Sequence, residues 1–203
     1  MQQTIVTRKL PNEWVKINLG CNQNALRGWI NVDIHEFDGV DVVANLEERW
    51  PWDDNSVDYI RAYDILEHLH SPIHSMNEAW RVLAHGGILE VLVPSTDGRG
   101  AFQDPTHVSF WNQNSFLYYS KKLKGGFYPH LILCDFDCKV MDSQANQAGV
   151  IWTFALCRAV KHAGQPPAIS DEWFDALSNP DPEKRVIHGH QGNTLGTNGT
   201  TGQ

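Results

Sequence analysis

Ile17-Asn18-Leu19-Gly20-Cys21-Asn22-Gln23-Asn24 climbs out of an apolar run, turns at a glycine and then meets asparagines where a nucleotide-binding loop carries a second glycine. A glycine directly after a buried strand lets backbone approach a ligand closely, and a carboxylate at the end of the next strand accepts two hydrogen bonds from a ribose diol. Gly20 and Asp33 make that pair. The fingerprint GxGxxG is not met, because Gly20 to Ala25 holds one glycine, so the loop suits a ligand without a pyrophosphate. Asn22 and Asn24 tolerate left-handed backbone better than most residues, which lets the turn form without the second glycine. These residues alone leave an ordinary strand and turn, with Asp33 solvated, as an equal reading.

On either side the chain alternates short apolar runs with turn signals. Trp14 to Leu19, Trp29 to Asp33, Val40 to Ala44, Val57 to Ala62 and Ile88 to Pro94 read as five strands, several nearly continuous in apolar residues, as in a parallel sheet buried on both faces. Ser71-Pro72-Ile73 supplies a cap and an N-terminal proline, followed by Ile73, Met76, Trp80 and Leu83 at helical spacing, with Gly86 and Gly87 as the stop. Cys134, Phe136, Cys138 and Val140 alternate with charged residues as a half-wet strand does, and Val150 to Val160 is its antiparallel partner.

Two connections are short. Eight residues separate Gly20 from Trp29 and six separate Asp33 from Val40, whereas a parallel crossover with its helix takes about 10–12. These crossovers are expected to lack helices. One sheet face is then partly bare, or covered by later segments or a partner, and self-association into a homo-oligomer is expected.

A chain of 203 residues with 41% hydrophobic content supports one well-buried core. Its formal charge of −8 argues against a protein that wraps nucleic-acid backbone. No run of about 18 apolar residues is present and the first residues lack a secretion signal, so a soluble, cytoplasmic protein without membrane contact is expected. Cys21, Cys134, Cys138 and Cys157 form no CxxC pair and suit a reducing compartment. From about Pro166 periodicity fades, and His190 to Gln203 is nearly all Gly, Thr, Asn and Gln. The expected organisation is a domain over 1–165 and a C-terminal extension over 166–203, largely a disordered tail.

Several motifs recur in the order of one family: Ile17-Asn18-Leu19-Gly20-Cys21, Trp29-Ile30-Asn31-Val32-Asp33, Trp52-Asp53-Asp54-Asn55-Ser56-Val57-Asp58-Tyr59-Ile60, Glu67-His68-Leu69, and the run from Glu78 to Leu89. Over about residues 14–95 the chain resembles a class I S-adenosylmethionine-dependent methyltransferase, a transferase with a single-domain α/β Rossmann-like sheet. The resemblance implies a mostly parallel sheet with a C-terminal antiparallel hairpin and some crossover helices reduced. It also implies S-adenosyl-L-methionine as cofactor. Gly20, Cys21 and Asn22 would line its methionine part, Asp33 would hold the ribose hydroxyls and Ile34 would pack on adenine. Asn45 and Leu46 would meet the adenine edge, and Tyr63 and Asp64 the amino group and the methyl.

A sulfonium methyl is already activated, so the protein need only align a nucleophile, exclude water and remove a proton where required. His107, with Asp104, in the loop after the fifth strand is the candidate base. The alternative is a histidine bonded to its own loop, with Asp104 capping a turn before Pro105. Asp64-Ile65-Leu66-Glu67-His68 resembles the Glu-x-x-Glu-His segment with which ubiquinone-biosynthesis O-methyltransferases bind a divalent metal. The first glutamate is here aspartate and Glu-His also occurs in relatives without metal, so no metal is assigned; Asp64, Glu67 and His68 are the candidates. His188 and His190 are read as noise. Acceptor contacts are expected from Thr96 to Tyr128, which holds Phe102, Phe110, Trp111, Phe116, Tyr118 and Tyr119; at these spacings such aromatics also form a small satellite core. The expected reaction is in-line methyl transfer to an unidentified small-molecule or sugar acceptor. A non-catalytic cofactor-binding or assembly module on the same fold is the alternative, and a nicotinamide-dependent oxidoreductase, which would want the missing glycines, is a third.

Overall fold

Ile17, Val32, Ile60 and Leu89 come from four separate apolar runs, and each is fully buried on one face of a single sheet. The structure, a computed structural model, describes residues 14–120, 128–162 and 170–177. Its strands are β1 (Lys16–Leu19), β2 (Ile30–Asp33), β3 (Val42–Val43), β4 (Val57–Tyr63), β5 (Leu83–Pro94), β6 (Phe136–Asp142) and β7 (Trp152–Ala159), in the order β3-β2-β1-β4-β5-β7-β6. β1 to β5 are parallel, and β7 inserts antiparallel between β5 and β6. The fold is therefore the expected α/β Rossmann-like sheet with a C-terminal antiparallel hairpin.

The helix between β4 and β5 is α1 (Pro72–Val82), where the Ser71 hydroxyl accepts from the His74 N–H at 3.2 Å and Pro72 opens the first turn. Met76, Ala79 and Val82 bury its apolar stripe on the first sheet face. Gly86 and Gly87 do not stop it. Leu83 already has extended backbone and pairs with Val57, so β5 begins five residues before the expected Ile88. Gly86, at φ +81°, lies where the register shifts between the Val57 and Tyr59 pairings, and so serves a bulge rather than a helix end. The third strand shortens from the expected five residues to two.

Bare apolar surface is expected near β2 and β3; Val43 of β3 is 58% exposed, whereas over β1 and β2 the second face is polar. Asn31, Asn18, Arg61 and Glu90 stand side by side across β2, β1, β4 and β5. Residues 21–29 cross this face without a helix, and the two asparagines meet their backbone: Asn18 Nδ2 donates to Asn24 O at 3.2 Å, and Asn31 accepts from Leu26 N at 2.7 Å while donating to Leu26 O at 3.1 Å. A helix satisfies its own peptide groups and offers apolar side chains, whereas an irregular strap needs polar partners from the strands beneath. Asn18 is 1% exposed and Asn31 5% for that reason. On the same face Trp14 and Trp29 lie against Tyr59, with ring centroids at 6.4 and 5.7 Å.

After β5 come α2 (Gly100–Gln103) and α3 (Gln113–Leu117), the latter closed by a capping box between Asn112 and Ser115. Trp111, Phe116 and Tyr119 join the first-face core. Within the stretch expected as an extension, α4 (Asp171–Leu177) places Phe174 on the second face with Tyr59, Ile88, Phe154 and Leu156. The rest of the expected extension over 166–203, namely residues 166–169 and 178–203 with His188 and His190, lies outside the described residues. All four cysteines are free thiols. No helix among the described residues is long and apolar enough to cross a membrane.

Candidate functional site

β1 is the point where the strand order reverses, since the chain runs from it to β2 and β3 on one side and to β4 and β5 on the other. Loops at the carboxyl ends of such strands splay apart and leave a crevice. Gly20 sits there at φ +60° and Asn22 at φ +45°, so the asparagine takes the left-handed position and the turn closes without a second glycine. Asp33 fastens the turn to the end of β2: its Oδ2 accepts from Asn22 N at 2.8 Å and its Oδ1 from His35 N at 3.0 Å. Burial, with the neighbouring Asp33 charge, pushes the Cys21 thiol up from its ordinary value.

The remaining expected contacts divide. Ile34 is exposed beside Asp33, and Asn45 Oδ1 accepts from Glu47 N at 3.0 Å, shaping the bend after β3. Leu46 belongs to the first-face core, so its side chain packs inward. The Tyr63 side chain lies on the second face, where its hydroxyl donates to Glu90 and the Arg61 guanidinium stacks on its ring at 3.8 Å. At the strand end this residue offers backbone. Asp64 follows at φ +49°, and Ile65 then packs directly over Gly20.

A second constellation lies on the same edge. A 3-10 turn at Leu66–His68 follows β4, and the loop after β5 is laced to it: Val108 N and Ser109 N donate to Glu67 O at 2.9 and 3.0 Å, and Ser109 Oγ donates to Leu66 O at 2.8 Å. This brings His107 against His68, with ring centroids 4.9 Å apart at 74°. One ligand atom from each of Glu67, His68 and His107 falls within 4.8 Å of the others. The Glu67 carboxylate is deeply buried and neither oxygen accepts a normal hydrogen bond. Burial, with the Asp64 and Asp104 charges, pushes it up to about 8, its own peptide N–H offsetting this only in part. Among the described residues Asp64 does not join the group that could hold a metal.

His107 Nδ1 lies 3.1 Å from Ala101 O, and Asp104 Oδ1 accepts from Thr106 N at 2.8 Å and Thr106 Oγ1 at 2.6 Å. Both residues therefore bond within their own loop, and Asp104 reaches His68 only through Thr106, whose Oγ1 is 3.1 Å from His68 Nδ1. Of the aromatics after β5, Trp111, Phe116 and Tyr119 are core, whereas Phe102 and Phe110, 63% and 51% exposed, stack at 5.3 Å. The reading of the sequence missed the pairing of His107 with Glu67 and His68. The signal was topological, because loops following adjacent parallel strands β4 and β5 must meet at one edge.

Residues 20–91 match the family model described as the methyltransferase domain. No curated protein matches the chain. Among solved structures, the YcgJ protein of Bacillus subtilis is similar at 12% identity and TM-score 0.52, over 78% of this chain and 97% of that one. The 1,6-didemethyltoxoflavin-N1-methyltransferase of Burkholderia thailandensis, solved with bound 1,6-didemethyltoxoflavin and S-adenosylhomocysteine, is similar at 13% identity and TM-score 0.52, over 73% of this chain and 72% of that one. The cyclase SpnF is similar at 13% identity and TM-score 0.51, over 73% of this chain and 75% of that one. At these identities the structures speak to the fold alone. Residues 20–91 thus match a methyltransferase domain, set in the α/β Rossmann-like sheet that these structures share.

Proposed function

We propose that the chain binds S-adenosyl-L-methionine at the carboxyl ends of β1, β2 and β4 and transfers its methyl group to a small-molecule or sugar acceptor. The observation that carries this is the bond from Asn22 N–H to the Asp33 carboxylate, which joins the Gly20 turn to the end of β2. A carboxylate has about four lone-pair positions, and Asn22 and His35 use two, so Asp33 keeps capacity for a ribose diol. Gly20, Cys21 and Asn22 present backbone to the methionine part, Ile34 offers an exposed apolar surface to adenine, and Asn45 and Asp64 flank the two ends. Phe102 and Phe110 form a platform for the acceptor on the neighbouring loop. His107 and Asp104 are bonded within their loop, so alignment of the acceptor with the C–S bond, rather than proton removal by this pair, is the chemistry this edge supports.

Calorimetric titration with S-adenosylhomocysteine tests the reading. One equivalent should bind, and Asp33→Ala should weaken binding by about 10–100-fold, the loss of hydrogen bonds to a charged acceptor. Binding of NADH in its place would point to the oxidoreductase. Binding of S-adenosylhomocysteine without radiolabelled methyl transfer into any fraction of a host-cell extract would favour the non-catalytic module.

A further inference from the structure

We propose that Glu67, His68 and His107 bind a divalent first-row transition-metal ion, independently of methyl transfer. Glu67 is 2% exposed, and neither of its oxygens has a hydrogen-bond partner, although the chain satisfies nearly every other buried side-chain polar atom among the described residues. A buried carboxylate without donors is costly, and a cation is the partner that would hold it in its ionised form.

The two imidazoles are set up to supply it. His107 Nδ1 faces Ala101 O at 3.1 Å and His68 Nδ1 faces Thr106 O at 3.2 Å. A carbonyl oxygen only accepts, so each Nδ1 carries a proton, and in the neutral imidazole Nε2 then keeps its lone pair. An outer nitrogen held by a carbonyl, with the inner one free, is the arrangement that metal-ligating histidines adopt. Thr106 Oγ1, itself bonded to Asp104, adds a second contact to His68 Nδ1 and fixes that ring further.

Two imidazole nitrogens and one carboxylate oxygen select zinc, iron, cobalt or nickel over magnesium or calcium, and three protein ligands leave coordination positions open. Bonds of about 2.1 Å place tetrahedral ligand atoms roughly 3.4 Å apart. The three groups here, within 4.8 Å of one another, would close on the ion by a small shift of the side chains that keeps each Nδ1 bond. The ligand set differs from the contiguous Asp64-x-x-Glu67-His68 segment, since the loop after β5 supplies the third ligand in place of Asp64. An ion would thereby clamp that loop onto the turn after β4.

The test is calorimetric titration of the full chain with zinc chloride, alongside melting with and without the ion. One Zn²⁺ should bind per chain and raise the melting temperature. Glu67→Gln and His107→Ala should each weaken binding by at least about 100-fold, the upper end of what losing a mere supporting partner costs, and abolish the rise in melting temperature. His188→Ala/His190→Ala should leave both unchanged. Binding below one equivalent, binding untouched by Glu67→Gln and His107→Ala, or binding lost with the tail histidines overturns the proposal. Should the site variants fail to fold, the wild-type chain loaded with Co²⁺ decides. Two paramagnetically shifted imidazole N–H resonances, from the Nδ1 protons of His68 and His107, are expected, and their absence sinks the site.

Discussion

A methyl group at position 20 would lie 2.7 Å from both Cδ1 and Cγ1 of Ile65 and 2.9 Å from its Cβ. Gly20 is therefore required twice over, for its left-handed backbone and because the loop after β4 rests on its Cα. Gly20→Ala should destabilise the chain by about 2–4 kcal/mol, combining backbone strain with overpacking. Adding Ile65→Ala should recover the overpacking part and leave the strain. Urea denaturation of the single and double variants separates the two, and equal stability of Gly20→Ala and wild type would refute the contact.

The sheet, the hairpin, α1 with its cap, and the Gly20–Asp33 pair were all legible in the sequence, because each depends on local pattern: apolar runs, a serine before proline, a glycine at a strand end. Pattern also showed that residues 21–29 were too few for a helix. It did not show that Asn18 and Asn31 would replace that helix by bonding the strap, because a lone asparagine in an apolar run carries no mark of its partner. The Glu67–His68–His107 group was hidden for a similar reason, its members being drawn from two loops that only the strand order brings together. The early start of β5 was missed because Gly86 and Gly87 serve equally as a helix stop and a bulge.

Asn31→Leu replaces a residue of similar size that bonds Leu26, Trp29 and Asp41. A larger apolar surface would be gained, yet Leu26 N–H would lose its acceptor, while Leu26 O keeps the bond from Trp29 N at 3.2 Å. A cost of about 1–3 kcal/mol is expected, that of one donor left unpaired. Hydrogen exchange should show the Leu26 amide losing protection more than amides of β1. Retained protection there would mean the strap is held by other contacts.

Acid should undo the join between α1 and the loop before β4. Burial alone would raise the Glu78 carboxyl, but bonds from Arg81 and Trp50 N–H outweigh it and hold it below its ordinary value of 4.5. Those bonds are Trp50 N to Oε2 at 2.7 Å, Arg81 Nε to Oε1 at 2.8 Å and Arg81 Nη2 to Oε2 at 2.7 Å. With the folded value depressed, the stabilisation is complete above 4.5 and is lost as pH falls through the folded value. Glu78→Ala should cost about 3 kcal/mol at pH 7, as the breaking of a largely buried pair does. The gap from wild type should narrow steadily below pH 4.5 in melting curves. A gap independent of pH would show that the loss comes from packing instead.

Phe174 decides whether α4 belongs to the folded body. Its ring is buried against Tyr59, Ile88, Phe154 and Leu156, with the Arg158 guanidinium 4.5 Å and Lys139 Nζ 4.9 Å from its centroid. Arg158 also pairs with Asp171 at 2.6 Å and Lys139 with Asp175, so both cations bind the helix through its charge and its ring. The exposed pairs contribute little on their own, whereas removing a buried aromatic costs about 3–5 kcal/mol. Phe174→Ala should therefore lower the melting temperature by roughly 6–20 °C, at about 2–4 °C per kcal/mol for a chain of this size. Asp171→Asn/Asp175→Asn should change it by little. A chain ended after residue 165 should melt at least as early as Phe174→Ala, and the apolar patch thus uncovered should promote self-association visible in light scattering. Unchanged melting on both Phe174→Ala and truncation would place the boundary of the folded body before residue 166.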